Sequence, residues 1–263
     1  MKFKLNAIIV GSLLVLSSSA SADISHRMLI PASGTGNIMN FHYDDGTRDN
    51  YQKIGLGMQF LSLSAAPTGV RYLANQFWIV NTVDRSQYKT MYMGINPPNN
   101  AIDYDGQVHF SYFGPGVSRI LSPNCHAGAD GGGGVTCAID YAVTIDNKYE
   151  LESQVVSSTA NTTIVRGVFT VYDPTGRNKL SETEIGKFEV NIGNGALNLD
   201  NGWIEGSADP CASTPYTQVV YEPIWFNGDK NNFRKLINVT SAKCGGTVQP
   251  LVGSNSVVVD FGS

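Results

Sequence analysis

Three glutamates could perform acid–base chemistry in this chain. Glu150 and Glu152 lie two positions apart in a segment that alternates polar and apolar residues, so both carboxyl groups would share one face of a strand. Two carboxyl groups about 5–5.5 Å apart form the acid and the nucleophile of a retaining glycosidase. Glu205 is a third candidate for such a role. The alternative for Glu150 and Glu152 is an ordinary solvated strand face beside Lys148, which is common in antiparallel sheets.

A glycine-rich segment between two cysteines is the main candidate for a binding loop. Cys125 and Cys137 enclose five glycines and Asp130. Glycine lets the backbone approach a ligand closely, so we assign Gly128, Asp130, Gly131 and Gly132 as ligand-binding candidates. Asp130 together with backbone carbonyls could bind Ca²⁺, which takes about six to eight oxygen ligands. The alternative is a polar turn with a structural role, and we expect no other cofactor.

Aromatic side chains are numerous and could form a sugar-binding surface. The apolar faces of sugars stack on such rings, although most of these side chains are expected in the core. The candidates are Tyr72, Phe77, Trp78, Tyr88, Tyr92, Tyr104, Tyr112, Trp203, Tyr216, Tyr221, Trp225 and Phe226.

The absence of other motifs argues against several classes of protein. The histidines at positions 26, 42, 109 and 126 have no metal-binding spacing, and neither a G-x-S-x-G nor a complete G-x-G-x-x-G motif occurs. The 18 basic residues form no cluster and are outnumbered by 22 acidic residues, which argues against a nucleic-acid partner.

The N-terminus predicts export. Lys2 and Lys4 precede an apolar run at residues 7–16, and Ala20-Ser21-Ala22 forms a small-x-small cleavage site. The run is too short for a membrane span, which needs about 20 residues, so we predict a signal peptide at residues 1–22 that is cleaved after Ala22. The protein would then be secreted or periplasmic, with a bacterial type of signal and no integral membrane segment in the mature chain.

Four cysteines, all after the predicted signal, indicate two disulfides in an exported protein. Three pairings are possible, and pairing of sequence neighbours favours Cys125–Cys137 and Cys211–Cys244. Zinc binding is the weaker alternative, because no C-x-x-C pair occurs and only His126 lies nearby.

The elements that must position these residues are predicted to be strands. Alternation with a period of two, or a continuous apolar run, predicts strands at residues 73–80, 107–112, 148–155, 164–172, 187–192 and 256–261. Turn residues predict a turn at 173–176 and loops at 96–100, 114–116 and 193–201. Little helix is expected. Residues 23–263 are therefore predicted to form a single all-β domain, a β-sandwich of the jelly-roll or concanavalin-like type.

Seven segments occur in a characteristic order at residues 92–96, 108–112, 125–137, 146–152, 169–176, 185–186 and 204–205. In this order, residues 88–244 resemble the family called domain of unknown function 3472, secreted or surface proteins of bacteria and fungi. Asp130 corresponds to the family's acidic residue in the glycine-rich loop, whereas the family's Trp before the Tyr-x-Leu strand is absent. The resemblance implies a β-sandwich and export but no activity, and it leaves residues 23–87 uncovered.

These features favour a binding module over an enzyme. We expect an exported β-sandwich that binds a glycan or a cell-surface ligand. One alternative is an exported polysaccharide hydrolase that uses Glu150, Glu152 or Glu205. Another is a structural or toxin-like surface protein.

Overall fold

The structure is a computed structural model that describes residues 28–30, 38–44, 50–65, 69–206, 211–240 and 244–262. The predicted signal peptide at residues 1–22 lies outside the described residues. Within them, no helix is long and apolar enough to cross a membrane.

Nearly every regular element of the described chain is a β-strand. The first nine strands are β1 (Met28–Ile30), β2 (Ile38–Tyr43), β3 (Lys53–Leu63), β4 (Arg71–Asn81), β5 (Tyr88–Asn96), β6 (Gln107–Phe113), β7 (Val117–Ile120), β8 (Cys125–Ala129) and β9 (Gly132–Asp140). The next five are β10 (Lys148–Ser158), β11 (Thr163–Tyr172), β12 (Lys179–Val190), β13 (Gly195–Gly206) and β14 (Thr217–Tyr221). The last five are β15 (Ile224–Phe226), β16 (Asp229–Arg234), β17 (Leu236–Thr240), β18 (Gly246–Pro250) and β19 (Val257–Phe261). The described residues also include two 3₁₀ turns, at Asn100–Ile102 and Cys211–Ser213.

The strands form two antiparallel sheets that pack face to face. The first sheet has the order β1-β18-β19-β14-β3-β10-β11-β12-β7, with β15 and β16 attached beside β3. The second sheet has the order β17-β2-β13-β4-β5-β6-β9-β8. Apolar side chains from both sheets build one core between them, which confirms the predicted all-β sandwich.

Strand alternation places the core side chains. Tyr149 and Leu151 of β10 are fully buried in the core. Phe110 of the second sheet meets Phe188 of the first, with ring centroids 5.3 Å apart. The predicted strands at 73–80, 107–112, 148–155 and 164–172 all lie within strands of the structure, and the predicted 173–176 turn connects β11 to β12.

Both predicted disulfides are confirmed. Cys125 pairs with Cys137, directly opposite it in the β8–β9 hairpin, and Cys211 pairs with Cys244. The zinc alternative for these cysteines is therefore wrong. The first disulfide packs against Gly186 of β12, where an added Cβ would collide with it.

The predicted loop at residues 193–201 is wrong. Strand β13 begins at Gly195 and pairs with β4, so most of this stretch is strand. Leu197 is fully buried in the core, which stabilises the strand despite its turn-forming sequence. A bulge between Leu199 and Gly202 absorbs the irregular residues in between.

Candidate functional site

The outer face of the second sheet carries an open cleft of about 660 Å³. Side chains at alternate positions of the strands point into it, because odd and even residues of a strand face opposite sides of the sheet. In β4, Leu73 and Phe77 face the core, whereas Tyr72 and Gln76 line the cleft. We refer to this feature as the cleft throughout.

One row of the sheet brings aromatic rings together at the cleft. Ala74 and Gly94 are paired across β4 and β5, with Trp203 beyond Ala74 and His109 beyond Gly94 in the same row. Trp203 and His109 line the cleft, together with the Tyr72 ring. The register of four strands therefore places these side chains side by side.

Gly94 allows the Tyr72 ring to lie across the neighbouring strand. A Cβ at position 94 would lie 2.6 and 2.7 Å from two carbons of the Tyr72 ring. The ring extends towards His109 and Trp203, with centroid distances of 5.8 and 6.2 Å, and is nearly perpendicular to both rings.

A second row of side chains across the sheet carries polar groups and a further aromatic ring, that of Tyr92. Gln76, Tyr92, Ser111 and Thr136 are in register across β4, β5, β6 and β9, and all four line the cleft. The Tyr92 ring lies 4.2 Å from the ring of Phe113 and 4.8 Å from that of Trp203, between centroids. The amides of Asn40, Asn96 and Asn201 add further hydrogen-bonding groups.

Two carboxylates line the cleft. Glu205 is half-buried opposite Tyr72 in the register of β13 and β4, and its Oε2 accepts a hydrogen bond of 3.3 Å from Trp203 Nε1. Asp130 is exposed in the two-residue turn of the β8–β9 hairpin, where Asp130 and Gly131 have φ of 46° and 76°. An Asp-Gly pair suits such a turn because both positions need positive φ.

The surroundings set the protonation of the cleft side chains. Burial raises the pKa of Tyr72, and the nearby charges of Asp130 and Glu205 raise it further. Burial also raises the pKa of Tyr92, and the nearby charge of Asp130 raises it further. Both phenols therefore stay protonated and can donate hydrogen bonds. Burial lowers the pKa of His109, although Asp130 partly opposes this, so its imidazole is neutral at pH 7.

The structure separates the three glutamate candidates. Glu205 lies in the cleft, whereas Glu150 and Glu152 lie on the outer face of the first sheet. Glu150 is buried and paired with Lys230, and Glu152 lies 3.5 Å from Lys53 Nζ. The solvated strand face expected for this pair is wrong for Glu150, because the Lys230 side chain covers it.

The structure also separates Asp130 from the three glycines of the predicted binding loop. Asp130 lines the cleft, and within the described residues Gly128, Gly131 and Gly132 do not. The segment is a hairpin whose Gly131 permits the turn. Across the ranges that the structure covers, no three His, Cys, Asp or Glu side chains converge as a metal site, and Ca²⁺ at Asp130 stays a prediction.

Sequence reasoning missed the amide and hydroxyl groups of the cleft. Gln76, Ser111 and Thr136 are polar residues in otherwise apolar or mixed strands; Ser111 and Thr136 lie in segments of the family resemblance, which assigns them no role. Tyr72, Tyr92 and Trp203 belonged to the aromatic candidates, but nothing local in the sequence placed them together. The available signal was a polar residue at an outward-facing position of each alternating strand. Such residues indicate a common site only when the pairing register of the strands is known.

No family model and no curated protein matches the chain. Among solved structures, it is similar to Scytalido-glutamic peptidase in complex with a peptide-based transition state analogue, with a TM-score of 0.39, 10% identity, and coverage of 86% of this chain and 97% of that chain. It is also similar to the marine PL-14 alginate lyase from Aplysia kurodai, with a TM-score of 0.33, 9% identity, and coverage of 88% and 69%. At these TM-scores the similarity carries no inference about function.

Proposed function

We propose that this protein is an exported β-sandwich that binds a glycan in the cleft. The observation that carries the proposal is the lining: aromatic rings, amides, hydroxyls and carboxylates converge on one cleft of about 660 Å³. Ligand sites typically measure about 300–1,000 Å³ and combine apolar walls with a few polar groups. Two disulfides support an oxidising compartment, in agreement with the predicted signal peptide and a secreted or periplasmic location.

The lining matches the chemistry of a sugar. A pyranose ring has apolar C–H faces that pack on aromatic side chains and hydroxyls that require hydrogen-bonding partners. Tyr92 and Trp203 supply aromatic surface, and Gln76, Asn201 and Glu205 supply donors and acceptors. We retain the resemblance to the domain of unknown function 3472 family as part of this proposal, because the family's motifs occur in order between residues 88 and 244.

Binding to a glycan array followed by calorimetry tests the function. We expect Tyr92→Ala to weaken binding by about fivefold or more, since a stacked ring contributes about 1 kcal/mol or more. Tyr88→Ala is the matched control, because Tyr88 lies on the same strand and the same face but outside the cleft and 52% exposed. Equal effects of both variants, or no glycan bound, would contradict the proposal. A protein that binds no glycan would favour the structural or toxin-like alternative.

Hydrolysis of a polysaccharide is the second candidate, and the position of Glu205 favours it. Glu205 and Asp130 are the two carboxylates of the cleft, whereas Glu150 and Glu152 lie on the opposite sheet. In this candidate, Glu205 protonates the leaving oxygen or activates water. Release of reducing ends that is abolished by Glu205→Gln, and kept by Glu150→Gln, would support it. Binding without release supports the binding module.

A further inference from the structure

The charges of the cleft are unbalanced. Asp130 and Glu205 line it, and in the described part of the chain neither forms an ion pair. Two negative charges therefore lie in one aromatic cleft.

One cation faces two carboxylates in the described lining. Arg71 is the one lysine or arginine among the described lining residues; it is only 2% exposed and keeps its positive charge, so the lining has a net negative charge. Its guanidinium donates to the carbonyl oxygens of Ser64, Pro98 and Tyr216 at 2.7, 3.1 and 3.2 Å and not to either carboxylate. Burial lowers the pKa of His109, which disfavours a positive charge on its imidazole.

The ring geometry suits a cation as well. The rings of Tyr72, Tyr92 and Trp203 all line the cleft, and Trp203 is inclined by 76° to Tyr72 and by 81° to Tyr92. Aromatic faces attract ammonium groups within about 6 Å of the ring centroid, and carboxylates accept charge-assisted hydrogen bonds from them. A cleft lined by both kinds of group suits a protonated amine.

We propose that the cleft selects glycans that carry free amino groups over their N-acetylated and uronic-acid counterparts. This inference rests on the glycan-binding function proposed above. A protonated sugar amine would donate hydrogen bonds to Glu205 or Asp130 while the C–H face of the sugar packs on Tyr92 and Trp203. N-acetylation removes the charge, and a uronic acid adds a charge that the cleft repels.

Calorimetry with three oligosaccharides of equal length tests the selection. The probes are a β-1,4-linked glucosamine oligomer, its fully N-acetylated form and an oligogalacturonate, in mildly acidic buffer where sugar amines are protonated. We expect the glucosamine oligomer to bind at least about tenfold more tightly than the acetylated form, and the uronate not to bind. Added salt should weaken the binding of the glucosamine oligomer and spare that of the acetylated form.

Substitution of each carboxylate tests which residues cause the preference for the free amine. Glu205→Gln and Asp130→Asn should each reduce the preference for the free amine several-fold, whereas Asp146→Asn, on an exposed connection, should leave it unchanged. Equal or tighter binding of the acetylated oligomer overturns this inference and leaves the glycan-binding function intact. If neither these oligomers nor a wider array of neutral glycans binds, the proposed function fails as well. The salt dependence is measured on the unmodified protein, so it decides even if a variant does not fold.

Discussion

The two sheets carry aromatic and acidic side chains on their outer faces, and the second sheet carries the cleft. On the first sheet, the Trp225 side chain lies over Gly55, and Lys230 reaches the buried Glu150. Lys148 lies 2.5 Å from Glu222, whose side chain lies over Gly57. On both faces a ring covers a glycine, but Glu150 and Glu222 each have a lysine partner. In the cleft, Asp130 and Glu205 form no ion pair within the described chain.

The difference shows what distinguishes a binding face from a structural one. Residue types are similar on both faces, so composition does not separate them. What separates Glu150 and Glu222 from Asp130 and Glu205 is an ion pair with a lysine.

Removal of the hairpin disulfide should have the largest effect. Cys125→Ser/Cys137→Ser is expected to lower the free energy of unfolding by about 2–4 kcal/mol, because the unfolded chain gains entropy. The same variant should also weaken ligand binding, since the hairpin holds Asp130 at the cleft. Denaturant unfolding and calorimetry measure the two losses. Cys211→Ser/Cys244→Ser is the control, with a loss of stability but a smaller loss of binding. Equal losses of binding in both variants would mean that the hairpin has no special role.

Filling one glycine gap on each face should separate stability from binding. Gly55→Ala displaces Trp225, whereas Gly94→Ala collides with the carbonyl oxygen of Leu73 as well as with the Tyr72 ring. Overpacking of this kind costs about 1–3 kcal/mol, and more where the backbone must move. Only Gly94→Ala should also weaken glycan binding, because Tyr72 lines the cleft. Thermal unfolding and calorimetry provide the two measurements. If Gly55→Ala folds normally but no longer binds the glycan, the assignment of the cleft face as the binding face is wrong.

Neutralising one charge on each face should have a smaller effect. Lys230→Gln leaves the buried Glu150 carboxylate without its cation, and we expect a loss of about 1 kcal/mol, since half of the Lys230 side chain is exposed. Glu205→Gln should change the free energy of unfolding by less than about 0.5 kcal/mol, because Glu205 has no ion pair among the described residues. Urea unfolding of both variants checks the difference. A larger loss in Glu205→Gln would indicate that Glu205 has a structural role.

The titration of His109 should give the smallest effect. Burial lowers its pKa, so the folded protein resists protonation that the unfolded chain accepts near pH 6.5. Stability is therefore expected to fall as the pH decreases through and below 6.5, and His109→Gln should remove this part of the loss. An NMR titration should place the midpoint below 6.5 in the native protein.

The same titration tests the position of the hairpin turn. Asp130→Asn should lower the pKa of His109 further, because the carboxylate favours the imidazolium. Asp146→Asn should leave the midpoint unchanged. A midpoint that does not respond to Asp130→Asn would place Asp130 away from the cleft.

Local sequence patterns were sufficient for much of the fold. The alternation around Tyr149 and Leu151 predicted β10, because the period of two is a property of the strand itself. The pairing of Cys125 with Cys137 followed from their closeness in sequence, since a short hairpin brings them together. The stretch at residues 193–201 was predicted wrongly, because its glycines and asparagines indicate a loop while the core contacts of Leu197 stabilise a strand.

The candidate site depended much less on local patterns. Spacing alone put Glu150 and Glu152 ahead of Glu205, because two carboxylates on one strand face are visible in sequence. In the structure, Glu150 is covered by Lys230, from a distant part of the chain. Glu205 gains its surroundings from Trp203 on its own strand and Tyr72 on the neighbouring one.

Local patterns in the sequence indicate the all-β class, six of the nineteen described strands and the pairing of the cysteines, because strand alternation and hairpin closure are short-range effects. The position of the cleft follows from the tertiary structure. Whether a face is covered depends on side chains from remote segments, such as Trp225 over Gly55. The cleft likewise depends on the register of separate strands, which brings Gln76, Tyr92, Ser111 and Thr136 into one row.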